Sequence, residues 1–172
     1  SSELPEKLNT ERVARYFIYL ALSNAIAAAI FTTPLLVPTF GLPLIVGVFP
    51  GTWMIIAYLS FLTVGVLGML GWSLVYFLSS RLMGKDQTIK FLAISHLVIV
   101  ELSVYGFAFT MSASGWIGGQ ALRQGLSVAA VGFLIEPLVL PTGAFVALVL
   151  VGQSVGVFNM FWTLRSPRPS VS

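Results

Sequence analysis

Between Tyr16 and Ser80 the chain runs for 65 consecutive residues without a single Lys, Arg, Asp or Glu. A soluble fold wets its surface with charge, whereas a chain lying in hydrocarbon avoids it, because a charge at the bilayer centre costs roughly 2.5–3.5 kcal/mol. The rest of the sequence agrees, with 57% hydrophobic and 9% charged residues. The expected fold is an all-α integral membrane protein, one transmembrane domain over residues 1–172 with no soluble domain attached. A spanning helix takes about 20 apolar residues, so this length supplies four spans, with five as the alternative.

The spans are expected at about 16–38, 52–80, 89–111 and 126–164. The first begins after Asn9-Thr10-Glu11-Arg12, which offers a helix N-cap with an early acid, so the helix is expected to start before the hydrocarbon. Tyr16–Pro38 is too long for a signal-peptide core and reads as a retained helix. Pro38–Gly51 is apolar but rich in Pro and Gly, and reads as a loop or re-entrant segment. Span two opens with Trp53 and closes on Trp72, Tyr76 and Phe77, aromatics suited to the membrane interface. Ser112–Gln120 reads as turn-rich. The stretch Gln124–Leu164 is long for one crossing, and Pro137 and Pro141 predict a kink or a break within it.

Basic residues fix the expected orientation. With four crossings, Lys7, Arg12, Arg15, Arg81, Lys85, Lys90, Arg165 and Arg168 share one side, and the opposite loops hold only Arg123. The positive-inside rule then places both termini in the cytoplasm of a cell or inner membrane. The net charge of +3 is accounted for by these anchors and does not call for a nucleic-acid partner. The expected partners are the lipid bilayer and other membrane-protein subunits.

The residues able to carry chemistry are few. Glu101 and Glu136 are acids within hydrophobic stretches, where an ionisable group is by default a functional candidate. Each could take part in proton or ion movement, or form a polar contact between helices. Tyr105 follows Glu101 by one turn and is expected to hydrogen-bond it. His96 and Glu101 lie about 140° apart on a helix and so do not share a face. His96 is the only histidine and the chain has no Cys, so bis-histidine haem ligation, three-histidine zinc or copper sites and thiolate metal sites are excluded within the chain. No catalytic set and no metal site is expected. Small residues point to helix contact: Gly65, Gly68 and Gly71 recur every third residue, and Gly152 and Gly156 form a GxxxG pair.

The order Trp53, Gly65, Gly71, Tyr76, Gly84, and the ending Asn159-Met160-Phe161-Trp162-Thr163-Leu164-Arg165, resemble helices of the catalytic subunit of haem-copper oxidases, in the nitric-oxide-reductase-like branch. That family holds haem and copper through several histidines, and span two here has none. The resemblance therefore implies a relative without metal sites, an accessory subunit of a respiratory electron-transport complex. Any haem or quinone would be held by partner subunits, with no cofactor bound by this chain alone. The alternative function is a small proton- or cation-coupled transporter or channel acting as a homo-oligomer.

Overall fold

The computed structural model describes residues 6–39 and 52–166. The apolar segment read as re-entrant and Arg168 lie outside the described residues, apart from Pro38 and Thr39. Strand β1 (Lys7–Asn9) leads into helix α1 (Thr10–Leu36). The second long helix is α2 (Thr52–Ser60), a π-helical stretch (Phe61–Gly68) and α3 (Met69–Arg81), joined without a break. Strand β2 (Gln87–Ile89), α4 (Lys90–Arg123) and α5 (Val128–Arg165) complete the order. Among the described residues, four helices are long and apolar enough to cross a membrane.

Local chemistry accounts for the helix ends. The Asn9 side chain accepts from the Arg12 N–H at 3.1 Å, the cap that the sequence predicts, and Ser127 accepts from the Ala130 N–H at 3.3 Å at the start of α5. Beyond α3 the chain turns through Gly84, whose φ of 62° suits a residue without a side chain.

Two expectations change. Ser112–Gln120 is helical, and α4 runs on to Arg123. Its hydroxyls bond back to their own helix, Ser114 to the Thr110 carbonyl and Thr110 to the Gly106 carbonyl, each at 2.9 Å. They neither compete for nor interrupt the backbone ladder. Gln124–Leu164 is likewise not divided: from Val128 onward it is one helix of 38 residues, with Pro137 and Pro141 inside it. At 1.5 Å per residue α4 and α5 measure about 51 and 57 Å, well beyond a hydrocarbon core of about 30 Å.

The all-helical expectation also lacked a small ribbon. β1 pairs antiparallel with β2, Lys7 opposite Ile89, Leu8 opposite Thr88 and Asn9 opposite Gln87. Flanking bonds from Lys90 N to the Glu6 carbonyl (2.9 Å) and from Thr10 N to the Asp86 carbonyl (3.0 Å) lengthen it. Lys85 Nζ donates to the Ser166 carbonyl. The N-terminal segment, the central charged loop and the end of α5 thus meet at one end of the bundle. In the bundle, α1 lies along the second long helix, α2 packs on α4, and α4 and α5 form the most extensive pair.

Candidate functional site

Among the described residues, two layers of side-chain hydrogen bonds between helices are each built around a buried asparagine. The layer nearer the ribbon joins β2, α3, α4 and α5. Thr88 Oγ1 donates to Asn159 Oδ1 at 2.9 Å and lies 2.8 Å from Thr163 Oγ1. Asn159 Nδ2 donates to the Tyr76 hydroxyl at 3.0 Å, and that hydroxyl lies 3.5 Å from His96 Nδ1. Asn159, Tyr76 and His96 are fully buried. The Tyr76 hydroxyl accepts from Asn159, and whether it donates to His96 Nδ1 or accepts from it depends on the imidazole tautomer.

His96 Nε2 is buried and has no hydrogen-bond partner among the described residues. The ring is enclosed instead by aromatics, with centroids 4.4 Å from Trp72 in an edge arrangement and 5.0 Å from Phe17. Trp72 is itself held by its indole N–H, which donates to Gln153 Oε1 at 2.6 Å. On the α5 side the imidazole is met by Gly156, where an added Cβ would overlap the ring.

The second layer lies one to two turns deeper. Asn24 Nδ2 on α1 donates both to the Gly65 carbonyl of the π-helical stretch (2.8 Å) and to Glu101 Oε2 on α4 (3.0 Å). Tyr105 donates to Asn24 Oδ1 at 3.0 Å. Tyr105 and Glu101 therefore meet through Asn24, and the direct bond between them that the sequence suggests is replaced by this three-way arrangement. Gly65 allows the approach: a Cβ there would sit 2.9 Å from Val104 and 3.3 Å from Asn24.

The structure does not bring the four polar candidates together. His96 belongs to the first layer, Glu101 and Tyr105 to the second. Glu136 belongs to neither: it is exposed, with no hydrogen bond or ion pair among the described residues. It lies twenty residues along α5 from Gly156, about 30 Å of helix rise and a full hydrocarbon thickness from the His96 layer. Three of the five candidate glycines make close contacts with another helix, since a Cβ at 152 would stand 2.7 Å from Val100. Gly68 approaches only the Thr63 carbonyl of its own helix, and Gly71 faces open space. Among the described residues no group of three His, Cys, Asp or Glu could hold a metal ion.

The two hubs decide what this arrangement can do. An amide donates through nitrogen and accepts through oxygen, so handing a proton across it requires an unfavourable tautomer. Both layers run through such a group, which suits fixing helices in register and does not suit a proton wire. Comparison with known proteins gives no matching family model, no matching curated protein and no matching solved structure.

Proposed function

We propose that this chain is a non-catalytic accessory subunit of a larger membrane complex, crossing the bilayer four times with both termini in the cytoplasm. The observation that carries this reading is the closure of both buried polar layers on asparagine amides, Asn24 and Asn159, which hold helices together without a route for protons. Parity supports the crossing number. Hydrogen-bonded strands share one side of a membrane, so an even number of crossings separates β1 from β2, and the Lys85–Ser166 bond extends the argument to the last helix. A bend at Pro137/Pro141 belongs to this reading, since each proline removes a backbone donor from α5.

Room for partners lies on α5, which packs on α4 and the ribbon and leaves the polar side chains of Glu136 and Ser154 exposed among apolar neighbours. Polar groups on a spanning helix favour a protein neighbour over lipid. A respiratory, haem-copper oxidase-type complex is the assignment that the sequence resemblance supplies, with haem or quinone in the partner subunits.

A second reading, a proton- or cation-coupled transporter acting as a homo-oligomer, is favoured by one feature. Glu101 is half-buried, and only one of its carboxylate oxygens is hydrogen-bonded among the described residues. Native purification in mild detergent, with mass spectrometry of all bound chains and a reduced-minus-oxidised spectrum, separates the two. The subunit reading expects other membrane chains in fixed stoichiometry, with haem bands for the respiratory version. A colourless oligomer of this chain alone overturns it.

A further inference from the structure

A groove of about 550 Å³ runs along the outside of the bundle between α1 and α3, lined by Glu11, Ala14, Arg15, Ile18, Leu70, Ser73, Leu74 and Phe77. Its two ends differ in chemistry. At the ribbon end stand Glu11 and Arg15. Less than one helical turn beyond Arg15, roughly 4.5 Å along α1, the walls become Ile18, Leu70 and Leu74, all exposed. The floor is made of small side chains, Ala14 and Ser73, both almost fully buried. The Ser73 hydroxyl is turned away from ligand duty because it donates to the Ala14 carbonyl at 2.9 Å.

The charges at the mouth are not equivalent. Glu11 is engaged by Arg81, Oε1 to Nε 2.7 Å, and Arg81 also lies 5.8 Å from the Phe77 ring centre. Arg15 is exposed, with no ion pair or hydrogen bond among the described residues. The mouth therefore carries one uncompensated cation above an apolar trough. It sits at the end of the bundle where seven basic residues face three acidic ones among the described residues.

We propose that this groove binds one anionic phospholipid, its phosphate on Arg15 and an acyl chain against Ile18, Leu70, Leu74 and Phe77. Charge complementarity and polarity along the groove choose the occupant. A cation at the rim with hydrocarbon walls below matches an anionic amphiphile oriented along the bilayer normal. The cytoplasmic leaflet supplies such lipids and attracts basic residues to its surface. The site rests on the proposed bilayer-spanning topology with this end of the bundle in the cytoplasm, and is independent of which complex the chain joins.

The test is native mass spectrometry of the full chain with equimolar phosphatidylglycerol and phosphatidylcholine. The wild type is expected to retain phosphatidylglycerol preferentially. Arg15→Gln is expected to lower that retention about fivefold, the value of one basic contact at an anionic surface. Ile18→Trp, which crowds the trough without altering charge, is expected to lower it as well. Arg165→Gln, whose guanidinium stands 4.0 Å over the Phe161 ring elsewhere on the bundle, should leave it unchanged. Equal retention by wild type and Arg15→Gln overturns the proposal. So does an equal loss in Arg165→Gln, which would report diffuse charge, or displacement by glycerol phosphate as effective as that by intact lipid.

Discussion

The His96 imidazole on α4 occupies the space that a side chain at position 156 of α5 would need. This makes Gly156 a steric requirement. Gly156→Ala is expected to destabilise the bundle by about 1–3 kcal/mol, the usual scale of overpacking. Gly71→Ala, where an added Cβ meets nothing within 4 Å, should be neutral or slightly stabilising through helix propensity. Thermal unfolding of the two variants in the same detergent makes the comparison, and equal midpoints would show that the α4–α5 contact is looser than described.

Asn159 ties β2 and α3 to α5 through Thr88 and Tyr76. Asn159→Leu leaves both hydroxyls short of a partner, which costs about 1–3 kcal/mol where groups stay buried and unsatisfied. A double-mutant cycle of Asn159→Leu with Tyr76→Phe should give a coupling of about 0.6–1.7 kcal/mol, the range found for hydrogen bonds inside membranes. Zero coupling would mean that the two side chains are not bonded.

The roles within the deeper layer are unequal. Glu101→Gln keeps an oxygen that can accept from Asn24, so a stability loss below about 1 kcal/mol is expected. Asn24→Leu removes three hydrogen bonds at once and should be the more damaging change. Reconstituted vesicles add a functional readout: Glu101→Gln should not alter proton permeability. Loss of a measurable proton flux in that variant would favour the transporter.

Sidedness can be read directly, because the chain has no native cysteine. Single cysteines at Gln87 and Ser166 should react with an impermeant maleimide from the same side of an oriented membrane, and one at Gln124 from the other. Labelling of Gln87 and Ser166 from opposite sides would break the four-crossing topology.

Much of the helical frame was legible, and the reasons are local. A charge-free run, an Asn9 cap and basic flanks act over a few residues, so the four long apolar helices and the start of α1 follow from the sequence. Gly152 and Gly156 carried a spacing signal, and in the structure they face Val100 and His96 of α4. The hubs were harder to read. Asn24 is one amide in an apolar helix, and its partners Gly65 and Glu101 are 41 and 77 residues away, beyond any periodic pattern. Its only signal was a lone amide inside a charge-free span. The ribbon escaped notice because three-residue strands of polar character have no period to detect. Ser112–Gln120 looked like a turn on composition, yet the Ser114 hydroxyl bonds back to the Thr110 carbonyl of its own helix.

The ribbon sets a schedule for synthesis. Leu8 pairs with Thr88, so the first strand must wait while 80 more residues are made, roughly 4–16 s at cellular elongation rates of about 5–20 residues per second. During that interval α1 and the second long helix can enter the membrane as a pair while β1 remains without its mate. Closure of the ribbon is therefore a late event that requires the first helical pair to have left β1 and β2 on the same side, whichever way the pair was threaded. A chain threaded with β1 and β2 on opposite sides could never form it, which makes these six residues a checkpoint on the first pair of long helices.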